Sequence, residues 1–380
     1  MLLSANIRKI GDNANTFTQD TRSTTEPKPR DEGIICCSQL NLWSSLFQYY
    51  TFFYYLCGAL SINRFSSLVM LSRRLLRVKV AKTLYAHLKS GSDNLKASEK
   101  NLVESIDKAY DLYFQMMSFI VEVARYAESR IEWAKQKKLP TYEDLNPNRR
   151  FVDNAVINLI ANSDSINDVL ASRKLGWATQ PDAAKEVYNR LVEADFYKRY
   201  MSAPVSTFTD DRKFVEEFFA WLEDDEALAD IVNEMSLFWS DDYGFALYLA
   251  IRTVQHLKRS HTEVKVLPKF KSEDDFAFAK TLLVKTLVQY DDNQEVVDKY
   301  SKNWDVERVV FMDSLIISIA IVELTHFESI PVKVTLDEWI DIAKYYSSPT
   351  SSNFVNGVLD KIVADFTESG RINKSGRGLL

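Results

Sequence analysis

Few residues in this 380-residue chain are of a type and spacing that could make or break bonds. There are four histidines, His87, His256, His261 and His326. His256 and His261 lie five apart, which is not the spacing of a helical zinc pair, and no matched carboxylate flanks them. They read as solvated surface side chains, because a motif needs its structural context. The acidic runs EDDEALAD at 223–230 and EDD at 273–275 could hold a metal or supply an acid and a base. Both open helical patterns, however, where carboxylates complement the helix dipole. Neither G-x-G-x-x-G nor G-x-x-x-x-G-K-[ST] occurs, so no glycine loop cradles a phosphate. The tail GRINKSGRGLL lacks the strand such a loop needs and reads as a flexible basic end over 369–380. No catalytic residue, metal or cofactor is assigned, and the chain reads as a binding protein rather than an enzyme.

The strongest chemical signal is charge placement. Arg73, Arg74, Arg77, Lys79, Lys82 and Lys89 fall between Leu71 and Ser90 with no acid among them. Cations clustered at the start of a helix with an apolar stripe make a phosphate-binding face. The formal charge of the chain is −6, from 47 basic and 53 acidic residues, which excludes a general nucleic-acid coat. Any RNA or DNA surface must be a local patch. On charge alone, an ordinary solvated amphipathic helix is the plainer reading of this run.

The elements that must position these residues are helices. Ten Gly and nine Pro are few for this length, and 46% hydrophobic residues supply a sizeable core. The spacing of Val78, Ala81, Leu84, Tyr85 and Leu88 makes one helical stripe. Further helical patterns run near 99–137, 149–162, 182–201, 210–222, 225–239, 243–259, 273–290, 293–301, 305–326, 335–346 and 351–366. No stretch alternates with period two, so the fold class is all-α. Thr335 and Glu338 form a T-x-x-E capping box, and Pro349-Thr350-Ser351 offers hydroxyl caps to the last helix. The segment DVERVVFMDSLIISIAIVEL is apolar on most faces after Phe311 and should be the buried centre of a bundle.

Residues 1–69 stand apart. Residues 1–40 are polar and read as disordered, while 42–62 are almost free of charge and about long enough to cross a bilayer. That second stretch is rich in Tyr, Ser and Gln, and positive residues flank it on both sides, so it specifies no orientation. Met70 opens a compact helical sequence, and 1–69 are read as an upstream extension from a wrongly chosen start codon. Cys36, Cys37 and Cys57 form no CxxC pair, which fits a reducing cytoplasm.

The C-terminal third supplies a family resemblance. WDVERVVFMDSLIISIAIVEL followed by IPVKVTLDEWIDIAKYYSSPTSSNFVNGVLDKI resembles the NusB family of bacterial transcription antitermination factors. The sequence RRLLRVKVAKTLY resembles that family's arginine-rich first helix. The likeness covers about 71–90 and 273–366, so 91–272 are expected to be a large helical insertion, as in longer variants of the Bacteroidetes group. The resulting division is 1–69 extension, 70–272 first helix plus insertion, 273–368 helical bundle and 369–380 tail.

The resemblance implies NusB-like helical bundles that bind boxA-type single-stranded RNA together with NusE, a small-subunit ribosomal protein. The assembly acts within the RNA polymerase antitermination complex on ribosomal RNA operons. RNA contacts are implied at Arg73, Arg74 and Arg77, with Lys79 in the same basic run, and at Phe354, Asn356 and Lys361. Spacing alone reads Phe354 as a core aromatic. Tyr85 and Asp313 are the implied NusE contacts, and a homodimer through the RNA face is left open. Ser318, where the family usually carries Arg, and the loop SSPTSS depart from the family pattern. Two rivals are a NusB-like domain of an RNA methyltransferase and a membrane-anchored helical scaffold using 42–62.

Overall fold

A computed structural model describes residues 71–302, 310–348 and 350–379. The readings of 1–69, of the lead-in residues Trp304 and Arg308, and of Pro349 lie outside the described residues. Among the described residues there are α-helices and one short 3-10 turn, and no strand. The sequence expectation of an all-α chain therefore holds, and the strands that a methyltransferase rival requires are absent from these residues. None of these helices is long and apolar enough to cross a membrane.

The first helix, α1 (Arg73–Ser90), starts where the Ser72 hydroxyl accepts the Leu75 N–H at 3.3 Å. It stops at Gly91, whose φ of 62° is the left-handed conformation that favours glycine. Next comes α2 (Leu95–Lys135), capped by Asn94 and 41 residues long, or about 60 Å at 1.5 Å per residue. Its buried stripe, from Leu102 to Ala127, is the spine of the insertion.

The insertion continues with α3 (Tyr142–Leu145), α4 (Ala155–Ala161), α5 (Asp164–Arg173), α6 (Ala183–Leu191), α7 (Asp195–Ser202), α8 (Phe208–Leu222), α9 (Glu226–Met235) and α10 (Tyr243–Gln255). The C-terminal elements are α11 (Glu273–Val288), α12 (Tyr290–Ser301), α13 (Phe311–His326), α14 (Val332–Tyr346) and α15 (Ser351–Glu368). The 3-10 turn Gly376–Leu379 follows.

The helices α3 and α5 have no counterpart among the expected ones, and two further differences have clear physical reasons. The run read as one helix over 182–201 is divided into α6 and α7, because Ala194 is extended and turns Tyr197 and Tyr200 toward Phe214. The expected capping box at Thr335 is absent, since α14 already begins at Val332 after Pro331. Thr335 and Glu338 instead serve tertiary contacts described below. As expected, α13 is buried along nearly its whole length, from Met312 to Leu324, and is the centre of the C-terminal bundle.

The first helix is not an ordinary surface helix. It packs between α2 on one side and α11 and α13 on the other, so Leu75, Leu76, Val78, Val80, Ala81 and Leu84 are all buried. Polar side chains on such a helix have no solvent to reach and must find partners. Arg77 finds Glu323 of α13, with Nε to Oε2 at 2.8 Å and Nη2 to Oε1 at 2.6 Å. The Thr335 hydroxyl donates to Glu323 Oε1 at 2.9 Å, and the Trp339 indole N–H donates to Oε2 at 3.1 Å. Burial disfavours the Glu323 charge most strongly among single causes, yet Arg77 and these donors together hold its carboxyl below the ordinary range.

Lys79 makes the second buried pair, with Asp242 at the start of α10. Burial, the largest cause, pushes the Lys79 ammonium below its usual range despite Asp242.

Glu323→Gln is expected to destabilise the protein near neutral pH, by about 3–5 kcal/mol for an uncompensated buried charge. A depressed carboxyl pKa contributes stability above its unfolded value and loses it as pH falls through the folded one. The deficit of the variant should therefore narrow below the ordinary glutamate range, as measured by urea unfolding at stepped pH. Asp242→Ala alone should cost a similar amount, about 3–5 kcal/mol. Lys79→Met combined with Asp242→Leu should recover most of it, since no charge is then left buried; a double-mutant cycle in urea measures both.

Candidate nucleic-acid interface

The residues that sequence reasoning assigned to RNA divide into two groups in the structure. One group is inside. Arg77 is 3% exposed and Lys79 is 2% exposed, each locked in the pairs described above. Neither can reach a phosphate without giving up its partner, and the reading of both as RNA contacts is corrected to a structural role. Phe354 is only 8% exposed and is also buried, so stacking on a base from this position is not available. The plain spacing argument, which made Phe354 a core aromatic, was the better one.

The other group is accessible. Arg73 and Arg74, at the start of α1, are half-buried. The Arg73 Nε donates to Asp275 of α11 at 2.9 Å, and its guanidinium lies 5.2 Å from the centre of the Phe278 ring. Arg74 grips Glu338 of α14 with two bonds at 2.8 and 3.0 Å and reaches Asp341 at 3.5 Å. Asn356 and Lys361 on α15 are exposed, and Asn356 Nδ2 donates to Asp360 one turn on at 3.3 Å.

Helix α15 carries this motif without interruption through Asn356 and Gly357. Val355, Val358, Leu359, Ile362 and Phe366 point into the bundle, which leaves Asn356 and Lys361 on the outer face.

Two of these accessible residues, Arg74 and Asn356, share a surface. An open cleft of about 520 Å³ is lined by Arg74, Val334, Asp337, Glu338, Asp341 and Asn356, together with Ile340 and Lys344. Arg74 from the chain's first described helix and Asn356 from its last α-helix, 282 positions apart in the sequence (356 minus 74), therefore face one space. Two cations and three carboxylates line the cleft, so it is not a strongly positive groove. Lys361 does not line it.

The two residues assigned to a protein partner also differ from each other. Tyr85 is half-buried and packs edge-on against Phe311, with ring centres 5.6 Å apart and a 72° interplanar angle. The Lys89 ammonium sits 3.8 Å from the centre of the same Phe311 ring. Asp313 is not at the surface: it is 3% exposed, and its Oδ2 accepts the Ser351 hydroxyl at 2.7 Å. Burial raises its carboxyl above the usual range, against the opposing bonds from Ser347 and Ser351. Its role is to tie the start of α13 to the start of α15, and its assignment as a partner contact is corrected accordingly.

Sequence reasoning missed the carboxylates that answer the basic run: Asp275, Glu323, Glu338, Asp341 and, in the insertion, Asp241 and Asp242. The only available signal was the coexistence of a cation-only helix with an acidic chain. The sequence also gave no hint that the basic tail is fixed. The Ser375 N–H donates to the Glu328 carbonyl at 3.1 Å, and the Lys374 ammonium to the Phe327 carbonyl at 3.0 Å. Residues 369–379, expected to be a flexible end, thus lie against the turn between α13 and α14. Among the described residues no group of His, Cys, Asp or Glu is placed to hold a metal ion.

Comparison with known proteins agrees with this arrangement. Residues 248–364 match the model of the NusB family, from within α10 to within α15. The chain is 44% identical over 103 residues to the transcription antitermination protein NusB of Salinibacter ruber, covering 27% of this chain and 64% of that protein. It is 37% identical over 106 residues to the NusB of Chloroherpeton thalassium, covering 27% of this chain and 50% of the relative. For the NusB of Thermodesulfovibrio yellowstonii the identity is 34% over 95 residues, 25% of this chain and 63% of the relative. The match thus spans less than two thirds of each of these relatives. No solved structure matches. The family match takes in most of the motif helix α15, whose Asn356 faces the same cleft as Arg74 of α1, and residues 248–364 of this chain are similar to the NusB family.

Proposed function

We propose that this chain is a cytoplasmic transcription antitermination factor that binds boxA-type single-stranded RNA together with NusE. In this reading it acts within the RNA polymerase antitermination complex on ribosomal RNA operons. The observation that carries the proposal is the convergence of the NusB motif helix and the arginine-rich first helix on one open cleft. Arg73, Arg74, Asn356 and Lys361 are the residues through which RNA would be held.

The electrostatics of the cleft support a shared site rather than an autonomous one. Arginine supplies salt-dependent phosphate affinity, each neutralised phosphate adding to the salt slope. Here the Arg74 guanidinium is already held by Glu338 and Asp341, and a phosphate must compete with both. Binding by this chain alone should therefore be weak, and a second protein that contributes cations would complete the groove. Tyr85, with Phe311 and Lys89 beside it, is the surface proposed for that partner. Catalysis plays no part in this reading.

The test is fluorescence anisotropy with a boxA-type RNA, with and without NusE, across a salt series. The joint change Arg73→Ala with Arg74→Ala is expected to weaken the ternary complex at least tenfold and to lower the salt slope by about one per lost phosphate contact. Lys361→Ala, on an exposed position, should lower the slope by about one without loss of stability. Lys79→Met should leave the slope unchanged, because that cation is buried. Unaltered RNA binding by both the arginine and the Lys361 variants would sink the proposal.

A further inference from the structure

We propose that the docked C-terminal segment, residues 371–379, forms one wall of the single-stranded RNA site and contributes Arg377 and Leu379 to it. The inference rests on the RNA-binding reading above and extends it to a segment that lies beyond the family match at 248–364.

The segment is built to occupy one place. Helix α15 ends at Glu368 with Ser369 as its C-cap, and Gly370, with φ of 69°, reverses the chain in the left-handed conformation. The Arg371 N–H then caps the Phe366 carbonyl at 2.8 Å, and the Arg371 guanidinium stacks 3.8 Å from the centre of the Phe366 ring. Two bonds from Ser375 follow, its N–H to the Glu328 carbonyl at 3.1 Å and its hydroxyl to Glu328 Oε2 at 3.0 Å. Gly378 is buried so tightly against Glu328 that a Cβ there would run into the Glu328 backbone carbonyl. A solvated tail has no need of such a fit.

The fit presents the chain end to a second cleft. About 540 Å³ of open space is lined by the apolar Val332, Leu336, Ile340 and Leu379, together with Lys333, Asp337, Asn356 and Gly378. Asp337, Ile340 and Asn356 line this cleft and the Arg74 cleft alike, so the two are one continuous surface. Leu379 is 75% exposed although it sits beside other apolar side chains.

An apolar floor, an amide that can address a base edge, and a lining cation suit an unpaired nucleobase with its flanking phosphate. Lys333 lines the cleft, and Arg377, exposed, directly precedes the lining residues Gly378 and Leu379. The first cleft holds more carboxylates than cations, whereas the second holds one of each, Lys333 and Asp337, with Arg377 next in sequence to its lining.

The experiment uses the full-length chain, NusE and a labelled boxA-type RNA, read by anisotropy across a salt series, with thermal unfolding in parallel. Arg377→Ala removes the charge while leaving the docked backbone intact. It is expected to weaken RNA binding about tenfold, to lower the salt slope by about one and to leave the melting temperature unchanged. Gly378→Val, which undocks the segment, should weaken binding at least as much. If the unaltered chain binds RNA and Arg377→Ala binds equally well, the tail is only structural and the inference is overturned while the RNA reading stands. If the variants retain RNA affinity but lose NusE, the cleft holds protein, and the inference is likewise overturned. Absence of RNA binding by the unaltered chain with NusE removes both.

Discussion

The carboxylate of Glu323 and the guanidinium of Arg77 are the interaction on which this molecule turns. Both are removed from water, and the cost of burying two charges is met only because every oxygen is answered. Arg77 takes both carboxylate oxygens, Thr335 adds a donor to one and Trp339 to the other. Four residues from α1, α13 and α14 are thereby fixed at one point. Removing any one donor leaves buried polarity unsatisfied, so the geometry is held more firmly than apolar packing alone would hold it. What the hub fixes is the placement of α1. Arg73 and Arg74 lie one turn before Arg77 on the same helix, and they reach Asp275 and Glu338 because Arg77 is anchored.

That arrangement accounts for how the sequence was legible in its fold but only partly in its site. Helix content, the buried centre α13 and the apolar face of α15 follow from period and composition, because burial selects residue type position by position. The cations on α1 carry no such mark. Lys79 and Lys89 are the same residue type ten positions apart, yet Lys79 is buried and Lys89 is exposed. The difference lies in what packs against the helix, which is set by residues more than 150 positions away. Thr335 illustrates the same limit from the other side. Its spacing to Glu338 satisfies a local capping rule, but Pro331 starts the helix a turn earlier, and both side chains are taken by partners on other helices.

Phe354 shows where resemblance and physics diverged. The family motif marks it as an aromatic beside RNA, whereas its position on the inner stripe of α15 places it in the core. Asn356 and Lys361 lie off that stripe and are exposed, so the same periodicity that removes Phe354 from the surface leaves these two on it. Gly378 was equally illegible, since its requirement comes from the approach of the Glu328 backbone, 50 positions earlier in the sequence (378 minus 328).

The helices between α1 and α11 change the surroundings of the first helix. Arg73, Arg74 and Arg77 pair with carboxylates of the C-terminal bundle, at Asp275, Glu338 and Asp341, and Glu323. Farther along, Lys79 and Lys82 pair with Asp242 and Asp241, which stand at the start of α10 in the insertion. The basic run is thus divided between two acidic surroundings, one on each side of α1. Of Lys79 and Lys82 only Lys79 is buried; Lys82 keeps 36% of its side chain exposed, and Lys89 in the last turn of α1 is exposed. In a chain of net charge −6, Arg73, Arg74, Arg77, Lys79 and Lys82 are each answered by a carboxylate from outside α1, so a run that reads in the sequence as bare positive charge is largely neutralised in the fold.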